Sequence, residues 1–534
     1  MTEQARPKTD RWCGAYLAVD GRPFPVIGAE VHNSSSSTLN AIASSFETVR
    51  QLGANTVLAP VAWDLLEPVR GQFDFTLTDA MIATARDMSL RLIPLWFGTW
   101  KNAVSTYAPP WIKTDTAQFP RAVLSDGRRV EHVTPFCTAA RDADARAFAA
   151  LMAHIRDVDK EGTVLAVQVE NEIGLLGDSR DRSPLAEAAF QQPVPAAVVE
   201  AIAADPGMPL HEEWVALGAK RTGSWAELFP AGVRCDEAFM ATAFASYTGA
   251  VAAAGAGEHD IPLYVNAWLD ADSVLDGPTP VAGGKQPGDY PSGGPVMPVA
   301  AIWEALAPAL HFLAVDMYVE DAEPVFAAYR SRRGRLFVPE LRADAVGIAQ
   351  MFSALGTHRA VGVAPFGVDV LDPQDRGTAQ LVDAFSLLRA AASIIREHPT
   401  ATMYGFHLDE LNPAPRLQFG DVGIQINTKD EWGMFTPTYP GYGIAIEADE
   451  GIYVIGRGFW VTLKAPEGRE LSLLSAKHYV PDRDGMTLVS RLNGDEGGGN
   501  LIPFPFAGAR LVPGRVIPTR VPDGGITHLS IYTY

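Results

Sequence analysis

The apolar run Val164-Leu165-Ala166-Val167 ends in a crowd of carboxylates and amides, Gln168-Val169-Glu170-Asn171-Glu172. A strand core rejects unpaired charge, because taking a carboxylate out of water is expensive. Such a cluster at a strand end therefore marks a site. A second apolar run, Arg335-Leu336-Phe337-Val338-Pro339, also stops on a glutamate, Glu340. Two carboxyls can divide the labour between them. One keeps its proton and gives it to a leaving group, while the other stays ionised, provided their surroundings hold their pKa values apart.

Eight short apolar runs could carry these groups: Phe24–Val31, Asn55–Pro60, Leu90–Phe97, Val164–Glu170, Pro262–Ala267, Phe312–Met317, Leu336–Pro339 and Ala360–Phe366. Helical patterns lie between them, such as Leu39, Ile42, Phe46, Val49 and Leu52. Strands alternating with helices predict parallel neighbours, and eight such units predict a (β/α)8 barrel over residues 1–400. A barrel gathers strand ends on one rim, and so would bring Glu172 and Glu340 together. The long loops after the third, fourth and fifth strands (98–139, 174–236 and 269–298) fit that rim. From about Thr400, alternating runs such as Gly423-Ile424-Gln425-Ile426-Asn427 and Phe459-Trp460-Val461-Thr462-Leu463 predict an antiparallel, sandwich-like β domain over 401–534. Gly494–Asn500 reads as a loop, since no Lys-Ser/Thr follows it to make a phosphate loop.

Other strand ends carry matching chemistry. Glu30, His32 and Asn33 follow the first strand, Trp63 the second, and Trp96, Trp100 and Asn102 the third. Asn266 and Trp268 follow the fifth, and Asp316 and Tyr318 the sixth. Aromatic faces with fixed polar groups suit a pyranose, which presents apolar C–H faces and a rim of hydroxyls. Glu30, His32, Trp63, Trp96, Asn171, Asn266, Trp268 and Tyr318 are the expected substrate contacts. Glu170, Asp316 and Arg342 are expected in support; for Asp316 an ion pair with Arg342 weighs equally with a sugar contact. Retaining cleavage of a glycosidic bond needs two carboxyls about 5–5.5 Å apart.

Competing chemistries have little to stand on. Glu30, His32 and Glu170 lack any metal-binding spacing, and no Gly-x-Ser-x-Gly elbow or Gly-x-Gly-x-x-Gly turn occurs, so neither a metal nor a cofactor is expected. Cys13, Cys137 and Cys235 are too few for a disulfide framework. A net charge of −20 disfavours nucleic acid and anionic membranes as partners. The charge-free window Ala238–Gly257 is rich in small residues and reads as a buried helix. With no leader pattern in Met1–Gly21 the expected location is cytoplasmic, or periplasmic if a leader was removed. A homo-oligomer is left open.

Two stretches resemble a known family. Gln168-Val169-Glu170-Asn171-Glu172 resembles the Gln-x-Glu-Asn-Glu core of the glycoside hydrolase family 35 β-galactosidase signature. Trp63-Asp64-Leu65-Leu66-Glu67-Pro68-Val69-Arg70-Gly71-Gln72-Phe73-Asp74-Phe75 is similar to that family's Trp-Asn-x-His-Glu-Pro-x-x-Gly-x-Phe-x-Phe. The resemblance covers the barrel. It implies a retaining β-glycosidase with Glu172 as acid/base, Asn171 on the sugar 2-hydroxyl and Glu340 as nucleophile. The chain departs from the pattern at Glu161-Gly162-Thr163, where Gly-Gly-Pro is usual, at Ile173 in place of an aromatic, at Leu66 in place of histidine, and in lacking Gly-Trp-Phe after Glu340. The expectation is an exo-acting β-galactosidase on oligosaccharides. β-Glucoside, β-xyloside or α-L-arabinopyranoside specificity is the alternative, as is a carbohydrate-binding protein without catalysis.

Overall fold

The computed structural model describes residues 11–271, 283–428, 440–449, 451–482, 485–492, 501–506 and 523–534. The loop at Gly494–Asn500 and part of the 269–298 loop fall outside them. Each of the eight apolar runs forms a strand: β1 (Val26–Glu30), β2 (Thr56–Ala62), β3 (Arg91–Lys101), β4 (Val167–Asn171), β5 (Leu263–Ala267), β6 (Phe312–Met317), β7 (Val338–Leu341) and β8 (Gly362–Pro365). They pair in chain order, all parallel, and β8 returns to β1 to close a barrel.

The side-chain period of two sorts these strands into two layers. Val26, Leu58, Ile93, Leu95, Tyr264, Phe312 and Phe337 pack together with Leu17 of a small antiparallel sheet ahead of β1 (Trp12–Cys13, Tyr16–Val19 and Arg22–Phe24) as the barrel floor. Their neighbours Ile27, Val57, Leu92, Val265, Leu313 and Val338 belong to the larger core shared with the helices. Burial on both faces is why these strands read as continuous apolar runs. Helices α1 (Leu39–Leu52), α2 (Thr76–Asp87), α3 (Thr138–Val158), α4 (Val233–Glu258), α5 (Ala300–Leu306), α6 (Glu323–Ser331), α7 (Ala345–Gly356) and α8 (Ala379–Glu397) surround the strands. Thr38 starts α1 by accepting a hydrogen bond from the Ala41 N–H at 3.1 Å. The charge-free window lies within α4, which runs along α3 and is buried over most of its surface apart from a stripe through Thr242, Ser246, Ala250, Ala253 and Gly257.

Beyond α8 the chain forms a six-stranded and a four-stranded antiparallel sheet. Alternation splits the six-stranded sheet as well. Ile444, Ile446, Tyr453 and Ile455 join the barrel core, whereas Ala445, Ile452 and Val454 pack with Ile424, Ile426, Phe459 and Val461 of the other sheet. Arg457 ties the same sheet to α8. Its guanidinium donates to Asp383 at 2.7 and 2.9 Å and to the Asp523 carbonyl at 2.6 Å. The Arg457 side chain is 4% exposed, so removing its charge strands a carboxylate at a covered interface. Arg457→Met should therefore cost about 3–5 kcal/mol in urea denaturation. A loss below about 1 kcal/mol, the range of an exposed pair, would show that the contact contributes little.

Candidate active site

Glu30 closes β1, Asp316 sits near the end of β6 opposite Glu340 of β7, and Glu172 follows β4. All four carboxyls are nearly sealed from solvent, with Glu340 the most open at 6%. Local backbone irregularities aim them. In β7, Val338 pairs with Val363 but Leu341 pairs with Pro365, so β7 holds one residue more than its neighbour. Since Phe337 faces the barrel floor, strict alternation would point Pro339 inward and Glu340 out. The bulge turns Glu340 to the axis instead, as bulges beside functional sites do. Glu170 and Glu172 both adopt left-handed backbone, at φ 61° and 45°. Side chains bearing a Cβ take this conformation at a cost, which the surroundings must offset.

A buried brace holds that segment. The Glu170 carboxylate accepts from the N–H groups of Thr99 (3.2 Å) and Trp100 (2.8 Å). Asp144, reaching in from α3, accepts from Trp96 Nε1 (2.9 Å), Thr99 N (3.0 Å) and Thr99 Oγ1 (2.6 Å). Burial, followed by the adjacent Asp144 carboxylate, raises Glu170 well above the usual carboxylate range; burial raises Asp144 too. Two carboxyls in contact inside a protein share a proton rather than both ionise. Further along, the N–H groups of Asn102 and Ala103 donate to the carbonyls of Asn171 and Glu172, each at 3.2 Å. The loop leaving β3 is thus bonded to the end of β4 along its length.

At the axis, the Glu172 N–H donates to Asn266 Oδ1 (3.1 Å), and Asn266 Nδ2 donates to Asp316 Oδ2 (2.7 Å). Tyr318 donates its hydroxyl to Glu340 Oε1. Lys101 Nζ donates to Asn171 Oδ1 at 2.8 Å. Glu30 Oε1, Asn171 Nδ2, Glu172 Oε2, Asp316 Oδ1 and Glu340 Oε2 are buried without a hydrogen-bond partner. Buried polar atoms are rarely left so. The four carboxyls among them act on one another electrostatically, and with Asn171 they form a ready set of contacts for a polyhydroxylated ligand. Burial, then the Glu340 carboxylate, pushes Glu172 up to about 8. Burial and Glu340 likewise raise Glu30 and Asp316.

Several expected residues stand elsewhere. Trp63 and Trp96 are wholly buried, and their indole N–H groups are taken by Glu67 (2.8 Å) and Asp144 (2.9 Å). They pack against each other beneath the rim and offer no face to a sugar. Glu170 points to Asp144 on α3, not into the barrel as alternation requires, because its left-handed backbone breaks the alternation. Arg342 binds Asp344 two residues on, and Asp316 is held by Asn266 instead. Trp268 is buried with its N–H on the Gly283 carbonyl at 2.9 Å. His32 lies at the rim, its side chain 39% exposed and its Nδ1 2.9 Å from Asp369. Glu30, Asn171, Glu172, Asn266, Asp316, Tyr318 and Glu340 come together. Sequence reasoning missed Lys101 and Asp144. Lys101 had a signal: it is the sole charged residue between Arg91 and Lys113.

Residues 16–212 match the model of a family described as Glycosyl hydrolases family 35. That match covers the first half of the barrel. Residues 381–502, from the start of α8 into the second sheet, match a separate family described as a domain of unknown function, DUF5597. A β-galactosidase of Xanthomonas manihotis is 26% identical over 175 residues, covering 31% of this chain and 26% of that protein. The match thus spans about a quarter of the curated relative's length. Solved structures that align with it include β-galactosidases from the psychrophilic Marinomonas ef1 (12% identity, 69% of this chain and 60% of that one, TM-score 0.46) and from Bacillus circulans sp. alkalophilus (13%, 68% and 56%, 0.46). A β-amylase catalytic domain from Paenibacillus polymyxa aligns similarly (11%, 67% and 97%, 0.45).

The enclosed Glu172 links stability to pH. Its carboxyl moves from 4.5 in the unfolded chain to about 8 in the fold, so between these values the native state binds more protons and stability falls as pH rises. Glu172→Gln removes that slope. Its urea midpoint, relative to the native sequence, should climb between pH 4.5 and 8 and level off outside that window. A constant difference across the window would refute the raised pKa.

Proposed function

We propose that this chain is a retaining, exo-acting β-glycosidase that removes terminal β-linked sugars from oligosaccharides, with galactose as the first candidate sugar. The observation that carries this reading is the pair Glu172 and Glu340. They come from opposite parts of the sequence onto one rim, yet sit in different surroundings. Glu172 is enclosed and holds its proton up to about pH 8, as a general acid must. Glu340 accepts from Tyr318 through Oε1, and its second oxygen has no partner. That leaves Oε2 to attack an anomeric carbon.

In the first step Glu340 forms a C–O bond to the anomeric carbon. The glycosidic bond breaks, and Glu172 passes its proton to the departing oxygen. In the second, Glu172 takes a proton from water, whose oxygen displaces Glu340 and restores the original anomeric configuration. Glu30, Asn171, Asn266 and Asp316 surround the sugar. The family-model match to the barrel's first half supports this chemistry, and the acidic, polar rim suits a neutral sugar.

A panel of nitrophenyl glycosides read by NMR tests the reading through the sugar released and the first anomer formed. Retention on a β-glycoside is the expected outcome; inversion, or no turnover of any member, overturns it. Turnover of a β-glucoside, β-xyloside or α-L-arabinopyranoside alone would keep the mechanism and replace the sugar. Glu340→Ala should abolish turnover, and added azide should then give the glycosyl azide of inverted configuration. Glu172→Ala should hydrolyse an activated dinitrophenyl glycoside far better than a natural disaccharide, because that leaving group needs no proton. In the native protein kcat/KM should decline as pH rises through about 8, as Glu172 loses its proton.

A further inference from the structure

Lys101 ends β3 and is 5% exposed, with its Nζ 2.8 Å from Asn171 Oδ1 and 5.1 Å from the centre of the Phe97 ring. Register fixes this contact. Lys101 and Asn171 are paired positions across β3 and β4, beyond a bulge that begins after Trp96. The ammonium interacts electrostatically with the carboxyls of Glu30 from β1, Glu172 after β4, Asp316 from β6 and Glu340 from β7, and with Tyr107 of the loop after β3. Burial opposes the charge on Lys101, but these four carboxylates outweigh it and raise its pKa. Among the described residues, the cation acting on Glu30, Glu172 and Asp316 is in each case Lys101. Nothing in the proposed double displacement gives this ammonium a task.

Its geometry does. An asparagine amide can turn over and exchange donor for acceptor at little cost. An ammonium has three donors and no acceptor, so it accepts only the orientation that offers it Oδ1. The Asn171 Nδ2 is thereby turned away, buried and without a partner. We propose that Lys101 is a positioning residue of this centre: it locks the Asn171 amide with its N–H donors toward the substrate, and its buried positive charge counters the negative charge of the carboxyls on the same rim. The inference rests on the glycosidase reading for the identity of the ligand. The lock and the charge are properties of the protein alone.

Two readouts separate the roles. Lys101→Met removes the donor and the charge, whereas Lys101→Gln removes the charge and replaces a donor-only head with an amide that can itself turn over. Ionisation of Glu172 can be followed without turnover by isotope-edited infrared spectroscopy of protein carrying 13C glutamate carboxyls, with Glu172→Gln identifying its band. Losing the nearby positive charge raises a carboxyl's pKa, so both variants should titrate Glu172 at least about one pH unit higher than the native protein. The basic limb of kcat/KM should move up with it. The amide lock is read by comparing an aryl β-glycoside with its 2-deoxy analogue. The native preference for the 2-hydroxyl should fall about tenfold or more in Lys101→Met, to the level of Asn171→Ala, and should fall in Lys101→Gln too, whose amide can offer Asn171 an acceptor.

Melting temperatures near the native value would show both variants to be folded; if Lys101→Met does not fold, Lys101→Gln still tests the charge through the infrared titration. Native titration of Glu172 in either folded variant would overturn the electrostatic role, and native 2-hydroxyl preference in Lys101→Met would overturn the lock. Absence of turnover in the native protein would defeat the glycosidase reading alone, since the infrared titration needs no substrate.

Discussion

The constraint on which the rest depends is electrostatic. Four carboxyls and one ammonium are held out of water above an apolar floor built from Val26, Leu58, Ile93, Tyr264 and Phe312. Full ionisation of all four acids around a single cation would leave several uncompensated charges in a low-dielectric space. The centre resolves this by holding protons. Glu30, Glu172 and Asp316 all bind theirs more tightly than free carboxyls do. A protonated acid is thus the state that burial itself favours, and at Glu172 the charge of Lys101 works against it.

Such a centre requires the backbone to abandon regularity where the barrel meets the rim. Lower down, the strands keep strict alternation and are packed on both faces. Above that level, β3 and β7 carry register shifts, and Glu170, Glu172, Asn102 and Ala103 take left-handed conformations. These costs are offset by the hydrogen bonds around Asp144 and Glu170, and by the two N–H groups that fasten the loop after β3 to the end of β4. Gly98 shows how closely this brace is fitted. A Cβ there would lie 2.4 Å from Trp96 Nε1 and 2.8 Å from Glu170 Oε1.

The barrel was legible because doubly buried parallel strands must be apolar throughout, and all eight runs stood out. The carboxylates at their ends were legible for the converse reason, since charge has no business there. Direction was not legible. Trp63 follows a strand just as Tyr318 does, and Trp96 lies inside one that runs on past it, but whether a ring faces the axis or a helix depends on bulges and packing that composition does not encode. Glu170 does stand in support, but from the helix side of the strand, through a left-handed φ that composition does not encode either. Arg342 was matched to Asp316 by proximity to the rim, whereas its nearest acid is its own chain neighbour Asp344. Lys101 was passed over among the tryptophans around it, although a lone cation in a long uncharged stretch is as anomalous as a buried carboxylate.

The six-stranded sheet has a consequence for how the whole chain comes apart. One of its faces belongs to the barrel's core and the other to the second sheet, and Arg457 fastens it to the last barrel helix. Its two faces cannot be uncovered independently, because stripping either one exposes the other's support. Cooperative units in proteins follow such shared cores more faithfully than they follow boundaries drawn along the sequence. The barrel wall beside α8 and the sheet that covers it therefore share one core, and solvent reaching that core from either side meets residues of both.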